Sequence, residues 1–312
     1  MTSLAGRAEV VKLARELHTA PDELGFLLES DPVAIRRVRQ SMHHALDSPY
    51  RPMFERLAKV SALIPNTLAI AIATRFFGPM LCGMIATSLS PERAVALIGH
   101  VPTTFLADTA PYVDPTAAAP IVQAFDTDVL VPVMQEMVRR KDYVTLARFL
   151  VAATNEQLLE VVPHIHSGED LLQVGFNAEL DTVADRFDVV LAELPEHRIR
   201  EILQAAHDQD RFAEAFTFLQ FVSDKTLTRV SEVTAGLGPE LLTHMVESVH
   251  RENAWAEMIP VAALMSPESR QLLFELPVWD DEKLAAVARA AEHSARQGDL
   301  LKIIEETAAR LD

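Results

Sequence analysis

A repeat of forty-three residues constrains this chain more than any other feature. His207, Phe212, Ala213 and Glu214 recur as His250, Trp255, Ala256 and Glu257, each shifted by 43 positions, and His293 lies 43 further on. The flanking segments agree. Ile199 and Leu203 align with Leu242 and Val246, and Ser223-Asp224 aligns with Ser266-Pro267. An earlier copy at 126–165 places Tyr143 in the aromatic position, with Leu130 and Met134 before it and Thr154-Asn155 after it. That copy is offset by 69 from the next, so about 26 residues (roughly 166–193) read as an inserted helix or helix pair. One such unit cannot bury its apolar face alone, and a period of forty to fifty residues with two helices per unit marks stacked helical repeats. The Glu/Lys/Arg-rich stretch Asp280–Asp312 reads as a polar terminal cap.

A shorter period precedes the long one. Helix starts fall at Ser90-Pro91, Pro102, Asp114-Pro115 and Asp126, twelve residues apart. Ser and Asp accept hydrogen bonds from the free N–H groups of a first helical turn, and Pro at the first position loses none. Helices of about nine residues are unstable alone, so they must stack on neighbours. Strand signals are nearly absent, Gly is limited to 10 residues, and 49% of the chain is hydrophobic, enough for a sizeable core. The expected fold is all-α: a right-handed α-solenoid, or superhelical stack, of short helices and helix-pair repeats. Four segments are expected: an N-terminal helical segment 1–61, a short-helix region 62–165, inserted helices 166–194, and helix-pair repeats with a polar cap 195–312.

The segments SPERAVALIGHV, PTTFLADTAPYV and DPTAAAPIVQAF resemble the superhelical N-terminal cytoplasmic domain of MgtE-type magnesium transporters, over about residues 79–165. The short helices of flagellar motor switch proteins are similar. The resemblance implies a fold and a regulatory habit. The chain departs from the transporters in having no recognisable nucleotide-sensing domain or transmembrane bundle, and the resemblance gives no warrant for magnesium binding.

Net charge is −17. A surface this acidic repels phosphate backbones, which argues against nucleic-acid partners. The charge is uneven, because residues 1–61 hold nine Lys/Arg against eight Asp/Glu. Arg36, Arg37, Arg39, His43 and His44 form a local basic patch, read as a solvated helix face. Cys82, the one cysteine, lies in the apolar run FFGPMLCGMIA and reads as a small buried hydrophobe; its solitude fits a reducing cytoplasm. Ala62–Leu89 is the most apolar stretch. Pro65, Asn66, Arg75 and Pro79 interrupt it, so it reads as two buried helices meeting near Gly78-Pro79 rather than a transmembrane span.

No enzyme motif is present: no Gly-rich phosphate loop, nucleophile elbow, His-Glu-x-x-His or Cys pair. The expectation is a non-enzymatic chain without cofactor or metal. The histidine row 207/250/293 cannot gather one ion, because repeat-equivalent positions lie farther apart than imidazole–metal bonds allow. His164 and His166, near Glu169 and Asp170, lack a third ligand fixed by spacing. Tyr143, Phe212 and Trp255 read as inter-repeat core, with an aromatic stripe for a peptide or apolar ligand as the alternative. Arg75 and Arg148 are each the only charge in an apolar helix, and Asp108 is an equally isolated carboxylate. Desolvated guanidinium needs a partner. These three form the candidate ligand-binding set, with a structural ion pair as the competing reading. The function expected is a cytoplasmic scaffold or regulatory module that binds a protein partner. The alternative is a carrier or sensor of an apolar small molecule or lipid in a groove formed by residues 62–165.

Overall fold

The computed structural model describes residues 4–17, 19–47, 50–61, 63–292 and 300–311. These residues form α-helices with short 3-10 and π turns, and no strand occurs among them. In chain order the helices are α1 (Leu4–Glu16), α2 (Pro32–Asp47), α3 (Arg51–Ser61), α4 (Asn66–Ile72), α5 (Gly78–Ala86), α6 (Pro91–Ile98), α7 (Thr103–Thr109), α8 (Pro115–Val122), α9 (Thr127–Arg139), α10 (Tyr143–Arg148), α11 (Asn155–Val161), α12 (Gly168–Asn177), α13 (Leu180–Glu193) and α14 (Glu196–Asp208). They continue as α15 (Phe212–Leu219), α16 (Asp224–Ala235), α17 (Pro239–Arg251), α18 (Trp255–Leu264), α19 (Pro267–Phe274), α20 (Asp281–Glu292) and α21 (Leu300–Leu311). The chain divides into two compact units. The first comprises Met1–Ile165 with Asn177–Glu179, the second His166–Phe176 with Leu180–Asp312.

Both periods are visible in the helices. The short helices follow caps at Ser90, Pro102, Asp114 and Asp126. The Ser90 side chain accepts from Arg93 N, and the Asp114 side chain accepts from Thr116 N at 2.9 Å. α9 departs from the short pattern, running for 13 residues.

The long period carries three helices per unit rather than two. α14, α15 and α16 begin 43 residues before α17, α18 and α19 respectively, and 69 residues after α9, α10 and α11. The 26 extra residues are accounted for by α12 and α13. Third-helix caps recur with the period: Thr154 forms a reciprocal capping box with Gln157, Ser223 accepts from Thr226 N, and Ser266 from Ser269 N.

The corner between the first and second helix is the most regular part. Lys141, Asp210 and Asn253, again 69 and 43 residues apart, are the non-glycine residues with positive φ among those described, at 58°, 54° and 53°. At each corner the next residue's N–H reaches five residues back: Asp142 N to Met137 O at 2.9 Å, Arg211 N to Ala206 O at 2.7 Å, and Ala254 N to Val249 O at 2.9 Å. The left-handed residue itself bonds three back, as in Lys141 N to Val138 O at 2.8 Å. This pair of bonds is the Schellman motif, which satisfies helix-end carbonyls and turns the chain sharply.

The two units are packed differently. In the second, large side chains are fully buried, among them Phe212, Phe216, Leu227, Met245, Met258, Ile259 and Leu273. Trp255 and Trp279 lie 5.9 Å apart, and Trp279 stacks on Phe274 at 4.8 Å. Phe212 and Trp255 are thus core residues, while Tyr143, their equivalent in the first unit, is half-buried. The first unit is closed largely by alanines at helix contacts, including Ala58, Ala94, Ala107, Ala118 and Ala152. Short helices with small contact residues approach closely. At Gly83, a Cβ would come within 2.9 Å of the Thr109 carbonyl oxygen, so glycine is required where α5 meets the Ala110–Tyr112 turn.

The basic patch on α2 is not a solvated face. Arg39 and Glu9 are buried. Glu9 Oε1 receives Arg36 Nη2 at 3.0 Å and Lys12 Nζ at 3.4 Å, while Arg39 bonds Glu179. Lys12 also donates to the Ala178 carbonyl at 3.2 Å. Desolvation pushes the Lys12 ammonium below its usual range, outweighing the pull of Glu9 and Glu179. This network ties Asn177–Glu179 into the first unit. Arg37 is exposed, and the side chains of His43 and His44 lie outside the described residues.

If the left-handed corners are intrinsic to the repeat, glycine should relax them. Lys141→Gly is expected to raise stability by about 0.5–1 kcal/mol in a thermal or urea melt, and Lys141→Val, β-branched at positive φ, to lower it.

Candidate functional site

The three sequence candidates do not come together. Arg75 sits in a π turn, Ala73–Phe77, and is exposed. It is not the buried guanidinium that its apolar surroundings suggest. Asp108 pairs with Arg140, the C-cap residue of α9, at 2.5 Å, not with Arg75 or Arg148. Arg140 also bonds Glu136 at 2.7 Å. Hydrogen bonds from Arg139 and Arg140 pull the Glu136 carboxyl down to about 2. Arg148 is half-buried and donates to Pro111 O at 3.1 Å and Val113 O at 3.3 Å. It thus serves the carbonyl end of the Ala110–Tyr112 turn.

The apolar segment 62–89 is the larger surprise. It does contain two helices meeting at Gly78, whose φ of 72° and ψ of 174° are open to glycine alone. By length and composition Asn66–Ala86 could cross a membrane, yet only 11% of its most apolar window is buried. Leu63 is 84% exposed, Phe76 75%, Met80 54% and Leu68 50%. α3 contributes more: Phe54 and Ala58 face α5 and its buried Ile85, while Met53 and Val60, seven residues apart on one stripe, are left exposed. Leu63, Leu68, Phe76, Phe77 and Met80 are outside, contrary to the expectation of buried helices.

This exposed corner is nevertheless firmly mounted. Arg93 of α6 donates to the carbonyls of Ser61 and Ile64 and to the Asn66 side chain. Asn66 donates in turn to Ala96 O at 2.9 Å. Across the Gly78 break, Cys82 Sγ lies 3.5 Å from the Ala73 carbonyl. Burial pushes the Cys82 thiol up to about 11, so it stays protonated and unreactive at neutral pH. Polar ties hold the backbone here, and the apolar side chains are not consumed in doing so.

The histidines fall into a different grouping from the one their period suggests. His207 meets His244, not His250, with Nδ1 atoms 2.6 Å apart and rings edge-on. Asp210 Oδ1 approaches His244 Nε2 at 3.2 Å, and Asp210 also pairs with Arg251. Carboxylate, imidazole and imidazole thus form a polar seam between α14 and α17. Burial would raise the Asp210 carboxyl, but bonds from Arg251 and Ser248, with the charges of Arg251 and His244, hold it below the usual range. His250 packs on Trp255 at 5.9 Å, and His293 lies outside the described residues. His164 and His166 are exposed. Among the described residues no three His, Cys, Asp or Glu side chains could hold a metal together.

The chain matches no family model, no curated protein and no solved structure.

Two predictions separate structural from surface residues. Arg148→Met should cost about 1–3 kcal/mol by orphaning the Pro111 and Val113 carbonyls, whereas Arg75→Ala should leave the melting curve within about 0.5 kcal/mol of the parent. Asp210→Asn keeps a residue tolerant of positive φ but removes the charge. A depressed carboxylate stabilises above its unfolded pKa, and that stability is lost as pH falls through the folded value. The variant should therefore be less stable near neutrality, and its deficit should close as pH drops below about 4.

Proposed function

We propose that this chain is a non-enzymatic helical-repeat scaffold, an α-solenoid that binds a partner protein along its stacked helices. The proposal rests on the recurrence of one three-helix unit with a Ser or Thr cap on its third helix and the same left-handed corner at Lys141, Asp210 and Asn253. Units repeated with one corner geometry stack by translation and rotation, and stacks of that kind offer long surfaces for partners. The resemblance of residues 79–165 to the transporter regulatory domain is in keeping with a regulatory, cytoplasmic role. The net charge of −17 argues for a partner with a basic docking face and against nucleic acid. Exposed Glu268, Glu275, Asp281 and Glu282 in the later repeats offer it an acidic surface.

A second reading has its own support. The exposed Leu63, Leu68, Phe76 and Met80 favour an apolar small molecule or lipid as ligand of the 62–89 segment.

Affinity capture with the immobilised full chain tests the first reading. A specific partner should be retained from native lysate at low salt and depleted when Glu268, Glu275, Asp281 and Glu282 are changed to amides. Repeated failure to retain any partner that discriminates between the two baits would count against the scaffold.

A further inference from the structure

Charge and apolar exposure coincide at one place on this acidic protein. Between residues 51 and 89 the charged side chains are Arg51, Arg56, Lys59 and Arg75 against Glu55 alone, and all five are exposed. The same stretch carries Met53, Val60, Leu63, Leu68, Phe76, Phe77 and Met80 in the open. Elsewhere the balance is strongly negative, since the whole chain stands at −17.

We propose that α3 and the Asn66–Ala86 corner form an interfacial anchor for an anionic lipid bilayer. The inference rests on the second reading above and narrows its ligand to a membrane surface. Cationic side chains beside exposed aromatic and aliphatic ones are what a headgroup layer selects: the apolar tips enter the acyl boundary while the charges meet lipid phosphates. Arg75, next to Phe76 and Phe77, has an aliphatic stem long enough to reach headgroups while its neighbours insert.

Geometry places this element on a bilayer rather than through it. The glycine-only conformation at Gly78 ends the first helix at Phe77. Asn66–Phe77 therefore rises only about 18 Å, against a hydrocarbon core of about 30 Å. Pro79 has no N–H to donate at the break, a loss that is costly in hydrocarbon and cheap at a hydrated interface. A second copy of this chain is a poorer occupant. A two-fold dimer would set the basic side chains of one face against the same set on the other.

The test is flotation of the full-length protein with vesicles of phosphatidylcholine alone or with added phosphatidylglycerol. Flotation is expected only with the anionic vesicles, falling as salt is raised. Changing Arg51, Arg56, Lys59 and Arg75 to Gln should weaken partitioning roughly fivefold per charge. Phe76→Ser with Met80→Ser should abolish it. Because all of these side chains are exposed, unchanged melting curves should accompany the losses. Equal flotation on neutral vesicles, flotation indifferent to the Phe76/Met80 change, or no flotation at all overturns the anchor. Binding of a fluorescent fatty acid monomer without flotation overturns it while leaving the apolar-ligand reading standing, and absence of both removes the two together. A dimer in sedimentation velocity that the same serine changes dissociate, with no flotation, assigns the face to a second copy and likewise overturns the anchor.

Discussion

A short helix satisfies few of its own backbone groups: the first four N–H and the last four C=O have no partner inside it. For helices such as α6, α8 and α15, with eight residues each, those ends are most of the element. The fold depends on how they are satisfied. Several N-terminal ends are served locally, by the Ser90, Asp114, Asp142, Thr154, Ser223 and Ser266 caps. The C-terminal ends are served in two ways. Left-handed corners close α9, α14 and α17, and side chains about thirty-five residues along the chain reach back to others. Arg148 serves Pro111 and Val113, Arg229 serves Leu191, Ala192 and Leu194, and Gln157 serves Val122 and Phe125. Each such bond fixes one helix end against an element brought close only by the fold.

That division explains what could be read in advance. Caps are local chemistry, so Ser90 and Asp114 mark helix starts that the structure reproduces. Apolar periodicity announced the all-helical class and the 43-residue spacing. The left-handed corners were hidden because Lys141, Asp210 and Asn253 occupy positions where glycine is the usual mark. Asp210 and Asn253, two residues before the aligned Phe212 and Trp255, were the available hint. The third helix of each unit, capped by Thr154, Ser223 or Ser266, has no place in the two-helix unit that the period alone suggests. Isolated charges gave the weakest guidance. Arg75 and Arg148 look alike in sequence, and only the fold shows one exposed and the other spending its donors on carbonyls 35 and 37 residues away.

Exposure was equally illegible for the apolar stretch. Hydropathy measures how strongly a segment avoids water, not whether a neighbour covers it. α6 holds the chain just before Asn66 and the Asn66 side chain through Arg93 and Ala96, and the Ala110–Tyr112 turn approaches closely at Gly83, while Leu68, Phe76 and Met80 stay uncovered. Such a corner can stay ordered and still keep an apolar face available. The histidine pair shows the reverse case, where a periodic residue that invites a metal reading is used to join α14 to α17.

One left-handed corner, repeated three times, defines the unit of this fold. Amide hydrogen exchange reads it most directly. The N–H groups of Asp142, Arg211 and Ala254 lie just past helix ends, where unstructured turns exchange freely. All three should be protected to the level of neighbouring helix-interior amides, because each donates back to the preceding turn. Exchange of any of the three at the rate of an open loop would contradict it.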